Sequence, residues 1–166
     1  MQKKIKYITT AAIIAAAYVA FTIVSAVFNL AYGPVQFRIS EALCILAAIT
    51  PAAIPGLTMG CIISNLFSFN AIDMLFGSIA TLIAAILTYS TRKITFKGLP
   101  LLGAFFPVVT NAVIVGAEIA VFFLPETAFV IGFAISAMQV AIGEAAVCYG
   151  LGIPLYGMFK KYYLEA

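Results

Sequence analysis

The chain has 166 residues, 64% of them hydrophobic and 9% charged, with a mean hydropathy of +1.15. That composition excludes a soluble domain of any size, because runs of ~18 or more apolar residues indicate membrane spans, and the length accommodates about six of them at roughly 20 residues each. The absence of histidine removes the usual ligand of haem, copper and zinc and the usual proton shuttle near neutral pH, while the net charge of +3 is spread as a topology signal and implies no nucleic-acid partner.

In chain order, helices are predicted at 6–29, 39–50, 54–69, 72–91, 100–124 and 128–158. The opening stretch MQKKIKYITTAAIIAAAYVAFTIV has the basic start and apolar run of a secretory signal. Every later segment is equally apolar, so it is read as a retained first helix. Within it Ala12, Ala16 and Ala20 stack at four-residue spacing, with Ala11 and Ala15 beside them. Small residues at that spacing let helix backbones approach closely. The stripe therefore serves either packing inside the bundle or docking of another membrane protein.

AYGP (31–34) is a turn before the second helix, which at about 12 residues is too short to span alone unless tilted or extended. That helix carries Arg38 and Glu41, read as an ion pair near the outer headgroups or as a wall of a site. TPAAIPG (50–56), with two prolines, makes a tight hairpin into the third helix, which brings Asn65 and Ser68 toward its outer end. Asn65 either bonds between helices or faces a ligand. Asp73 opens the fourth helix as an N-terminal cap, a first-turn anion or a site carboxylate. STRKITFKGLP (90–100) is the polar interior loop.

The fifth helix carries Asn111 and Glu118, seven residues apart, hence about 20° from one face and ~10 Å apart along the axis. FFLPET (122–127) separates it from the sixth helix. There Gln139 and Glu144 project roughly 140° apart, and YGLGIP (149–154) bends or ends the helix. Glu144 is either a structural carboxylate or a ligand contact. Cys44, Cys61 and Cys148 are odd in number, sit in apolar runs and form no CxxC, so no disulfide framework, metal site or cofactor is expected.

Lys3, Lys4 and Lys6, then Arg92, Lys93 and Lys97, then Lys160 and Lys161 flank the first, fourth and sixth helices. The positive-inside rule makes all three clusters cytoplasmic in an N-inside, six-span chain, and leaves Arg38 alone outside. A charged group at mid-membrane costs ~2.5–3.5 kcal/mol on insertion scales, so the few intramembrane polar residues are candidates for function. Arg38, Glu41, Asn65, Asp73 and Glu118 converge in the outer half, with Phe37, Phe67, Phe69 and Phe76 nearby to stack a flat ring. That pattern fits a pocket for a small, donor-rich ligand. No GxxxxGK[ST] loop is present, so the chain does not power transport by itself.

The blocks FRISEALCILAAITPAAIPGLTMGCIISNL, DMLFGSIATLIAAILTYSTRK, NAVIVGAE and VAIGEAAVCYGLGIPLY, spread from Ala11 to Tyr156, resemble the QueT family. Those proteins are described as queuosine-precursor transporters, substrate-binding S components of energy-coupling factor (ECF) transporters. The resemblance implies an all-α, six-helix, multi-pass protein of the bacterial cell membrane, forming one substrate-binding domain with both termini cytoplasmic. It also implies a partner module, a transmembrane coupling protein with two ATPase subunits, docked through Ala12, Ala16 and Ala20, and inward delivery of the ligand by toppling. The chain itself is then no enzyme.

The implied ligand is a 7-deazaguanine, either the aminomethyl precursor or queuine. Glu118 or Glu144 is expected on the guanine edge, with Asn111 and Gln139 on the carbonyl and ring nitrogens. Asp73 or Glu41 would meet the amine, and Arg38 would hold Glu41. An S component for another vitamin, a stand-alone channel or carrier, and a membrane enzyme are the competing readings; the last lacks a nucleophile beside a base.

Overall fold

The structure is a computed structural model, and it describes residues 1–31, 37–66 and 71–164. The expected turn at residues 32–34 of AYGP and the expectations placed on Phe67, Ser68 and Phe69 fall outside the described residues. Helix α1 runs Gln2–Val27, α2 Ala53–Leu66, α3 Ala71–Ser90, α4 Leu101–Glu118, α5 Phe129–Val147 and α6 Ile153–Leu164. A 3-10 segment, Ile39–Ala48, precedes α2, and π-helical turns extend α4 (Ile119–Phe123) and join α5 to α6 (Cys148–Gly152). Among the described residues, four stretches are long and apolar enough to cross a membrane: Gln2–Val27, Ala71–Ser90, Leu101–Phe123 and Phe129–Lys161. Ile39–Ala48 and Ala53–Leu66 are shorter apolar helices.

Tyr7 donates to the Pro51 carbonyl and Lys160 to the Gly98 carbonyl. The start of α1, the turn before α2, the α3–α4 loop and the end of α6 thus share one end of the bundle, the terminal end. Arg38, Asp73 and Glu118 lie at the other end, where α3 begins and α4 finishes.

The 3-10 segment is the central post. It packs against all six α-helices, and Ser40 through Ala47 are buried without a break. The tighter coil lengthens the segment but leaves it shorter than the ~30 Å hydrocarbon core. At about 2.0 Å per residue, ten residues reach ~20 Å, where an α-helix of the same length reaches ~15 Å. It also eclipses side chains at i and i+3, which aligns Arg38, Glu41 and Cys44. The Cys44 thiol donates to Glu41 Oε2 at 3.0 Å across that spacing.

α1 and α2 approach closely, and glycine permits it. A Cβ on Gly56 would lie 2.7 Å from the Ala11 carbonyl, and one on Gly60 would lie 2.7 Å from Tyr18 Cβ. This Gly-x3-Gly pair in α2 supplies the internal packing that the alanine stripe was also a candidate for. Ala12, Ala16 and Ala20 are instead exposed, while Ile14, Tyr18, Thr22 and Ser25 face inward.

Pro107 interrupts α4 from within and deprives the Gly103 carbonyl of its helical partner. Thr88 of α3 supplies the replacement, donating to that oxygen at 2.8 Å, and Gly103 has no side chain to obstruct the approach.

Candidate functional site

The buried polar residues form two groups. The first surrounds Glu41 in the middle of the bundle. Tyr18 of α1 and Thr81 of α3 both donate to Glu41 Oε1, and Cys44 donates to Oε2. Thr81 also reaches Cys61 of α2 at 3.4 Å. Cys148, at the π-turn, lies 3.8 Å from the Glu41 carbonyl and 3.7 Å from Glu144 Oε2. Both oxygens of Glu41 are therefore occupied by protein donors, and Glu144 belongs to this knot. The three cysteines are free, and no cluster of metal-binding side chains occurs among the described residues.

The second group lies at the Asp73 end. Arg38 caps the 3-10 segment and forms an ion pair with Asp73 of α3, its Nη2 standing 3.2 and 3.1 Å from the two carboxylate oxygens. Its Nε donates to the Ala31 carbonyl at 3.0 Å. The expected pairing of Arg38 with Glu41 is thus replaced by one between Arg38 and α3, and Glu41 is held by Tyr18, Cys44 and Thr81. Asn65 Nδ2 donates to the Asp73 carbonyl at 3.2 Å, an interhelical bond as its position in the sequence allowed. Gly77, one turn further along α3, leaves room for these groups: a Cβ there would lie 3.1 Å from Asn65 Nδ2 and 3.6 Å from Arg38 Nη1.

Beneath this layer is an apolar contact of Ala80, Val115 and Val140, one residue each from α3, α4 and α5. Glu118 stands about one turn beyond Val115 toward the Asp73 end. Its side chain is 2% exposed, its Oε2 has no hydrogen-bond partner among the described residues, and it lies within electrostatic range of Asp73 and Arg38. Ser136 holds the matching position one turn beyond Val140, 1% exposed and likewise unpartnered. Phe76 and Phe122 pack at 5.9 Å between ring centroids at the same end. The π-turn begins immediately after Glu118 and the second one four residues after Glu144.

The structure thus separates residues that the sequence grouped. Asn111 shares the inward face of α4 with Glu118, and its Nδ2 is unpartnered, but Val115 stands between them. Glu144 is one turn beyond Val140 in the opposite direction, in the Glu41 knot. Gln139 is half-buried beside Val140. Ser136 and Gly77 were missed. Their signal was faint, one small residue each within apolar helices. A cleft of about 220 Å³ lined by Lys3, Lys6, Tyr7, Thr10, Thr50, Pro51 and Ala52 opens at the terminal end, away from both groups.

A family model described as QueT transporter matches residues 8–161, nearly the whole chain. The chain belongs to the QueT transporter family. It is a multi-pass membrane protein whose family is one of transporters, in keeping with its apolar helices. Among curated proteins it is 42% identical over 84 residues to the "Queuosine precursor transporter QueT" of Lactococcus lactis subsp. cremoris (strain MG1363). The match covers 50% of either sequence, so the chain spans about half the length of the curated QueT relative it matches. No solved structure matches this QueT-family chain.

Proposed function

We propose that the protein is the substrate-binding S component of an ECF-type importer and captures a 7-deazaguanine queuosine precursor in the layer above the Ala80–Val115–Val140 contact. One observation carries the site: a buried Glu118 oxygen with no donor among the described residues, at the same end of the bundle as an already neutralised Arg38–Asp73 pair. An unpartnered carboxylate oxygen in a membrane interior is costly, and a ligand that brings its own donors removes that cost. A guanine-type edge offers N1–H and an exocyclic NH₂ side by side, which one carboxylate accepts together.

Glu118 is preferred over Glu144 for this role, because Glu144 lies below the apolar contact beside Cys148. Asp73 remains the second carboxylate, with its charge offset by Arg38. The ammonium of an aminomethyl group is met by the ring faces of Phe76 and Phe122. Glu41 is engaged by protein donors and is assigned to the scaffold. Asn111 and Gln139 sit too deep for first contact and line the floor side.

In this reading both termini are cytoplasmic, the 3-10 segment and α2 complete six crossings, and the Asp73 end faces outward. The exposed stripe Ala12, Ala16 and Ala20 docks on the transmembrane coupling protein, and two ATPase subunits supply the energy for toppling. Ala16→Leu is expected to leave ligand binding unchanged and stop uptake in cells, whereas normal uptake would remove the stripe from docking.

The decisive experiment is titration of the purified protein with the aminomethyl-deazaguanine and with queuine, using guanine and riboflavin as controls. Binding of riboflavin in preference to both deazaguanines would point to an S component for another vitamin. Uptake that survives loss of the ATPases would point to a stand-alone carrier.

A further inference from the structure

Serines and threonines inside these helices have a default partner. Thr22, Ser25, Ser64 and Thr110 each donate to the carbonyl four residues back. In a membrane this satisfies the hydroxyl at no cost to neighbouring helices. Ser136 departs from that habit. It is 1% exposed, yet its hydroxyl has no partner among the described residues, although the Gly132 carbonyl lies four residues back on the same helix.

Its place in the fold gives the departure meaning. Val140, on the same face one turn away, meets Val115 and Ala80, and Gly116 of α4 packs so closely on α5 that a Cβ there would lie 2.9 Å from Ala137 Cα. These contacts fix the register of α5 against α4 and set Ser136 in the layer of Glu118. Glu118 comes from α4, the Arg38–Asp73 pair from the 3-10 segment and α3, and Ser136 from α5.

We propose that Ser136 is a ligand-contacting residue, whose hydroxyl hydrogen-bonds a flat heterocycle held by Glu118, on the α5 side away from the Arg38–Asp73 pair. The inference rests on the reading of the Glu118 layer as the substrate site. It also limits the ligand class: the molecule carries a hydrogen-bonding group on the rim facing α5 as well as the donor edge that Glu118 accepts. Ser78 is the internal control. Its hydroxyl is also buried and unpartnered, but it shares the face of Ala85, which packs into the core of Tyr18, Leu57 and Cys61.

The experiment uses the full chain in detergent or nanodiscs, with affinity for the aminomethyl-deazaguanine and ligand-free melting temperature measured on each variant. Ser136→Ala is expected to weaken binding about fivefold, the loss of one neutral hydrogen bond, without lowering the melting temperature, because a buried unpartnered hydroxyl stabilises nothing in the empty protein and costs it the hydroxyl's desolvation. Ser136→Thr, which keeps the hydroxyl, retains affinity. Ser78→Ala leaves affinity unchanged.

Wild-type affinity in Ser136→Ala, alongside a weakened Glu118→Gln, overturns this inference and leaves the site reading standing. A fall in melting temperature matching the fall in affinity assigns Ser136 to packing and overturns it as well. A wild-type protein that binds neither deazaguanine overturns the site reading and this inference together.

Discussion

Glu41 and Glu118 are both carboxylates buried in the same bundle, and their surroundings differ in kind. Tyr18, Cys44 and Thr81 saturate Glu41 from three elements, whereas Glu118 keeps an oxygen that no group among the described residues reaches. In a low-dielectric interior a complete network makes packing specific, while an incomplete one is expensive until something fills it. The comparison separates a polar group that builds the fold from one that is available for binding. Arg38 borders both regions, since its ion pair with Asp73 closes the edge of the Glu118 layer while its backbone begins the segment that carries Glu41.

The largest effect expected from this contrast falls on Arg38. Arg38→Met strands Asp73 without its cation and is expected to cost about 3–5 kcal/mol in detergent unfolding. Arg38→Met combined with Asp73→Leu should recover most of it; a double variant as unstable as the single would show that the pair is not the source. Glu41→Ala removes the acceptor of three buried donors and should cost about 3 kcal/mol by the same measurement. If it instead weakens ligand binding at unchanged stability, the two regions have been assigned the wrong way round.

A smaller effect tests how far satisfied polarity extends. Thr88→Val exposes the carbonyl that Pro107 leaves unpaired, for a loss of roughly 1–3 kcal/mol, and adding Pro107→Ala should restore part of it. Glu118→Gln should change stability least while weakening deazaguanine binding at least tenfold, or about 1.4 kcal/mol, read by calorimetric titration. A melting temperature that drops with unchanged affinity would place Glu118 in the scaffold beside Glu41.

Much of the scaffold was readable along the chain because its signals are local. Apolar runs, the breaks at Pro51, Pro55 and Pro100, and the bend near YGLGIP depend on neighbours in sequence, and the helices and the Cys148–Gly152 π-turn fall close to those positions. The list of buried polar residues was also legible, since any ionisable group in an apolar run stands out. Partner choice was not. Arg38 and Glu41 are three residues apart and invite pairing, but Asp73, 35 residues away, takes the arginine. Ala12, Ala16 and Ala20 had the spacing for internal packing, but Gly56 and Gly60 take that role because they let α2 approach the other face of α1.

By itself, then, the sequence determined a multi-pass helical membrane protein, the approximate bounds of its helices and its family likeness, because hydropathy, proline and turn chemistry act over a few residues. Only the tertiary structure decided that residues 39–48 coil as a buried 3-10 post, that Glu41 and Glu144 belong to one knot and that Glu118 and Ser136 are left open in another layer. Those outcomes depend on how helices distant in sequence rotate and slide against each other. In a medium without water, that register alone settles which buried donor meets which acceptor.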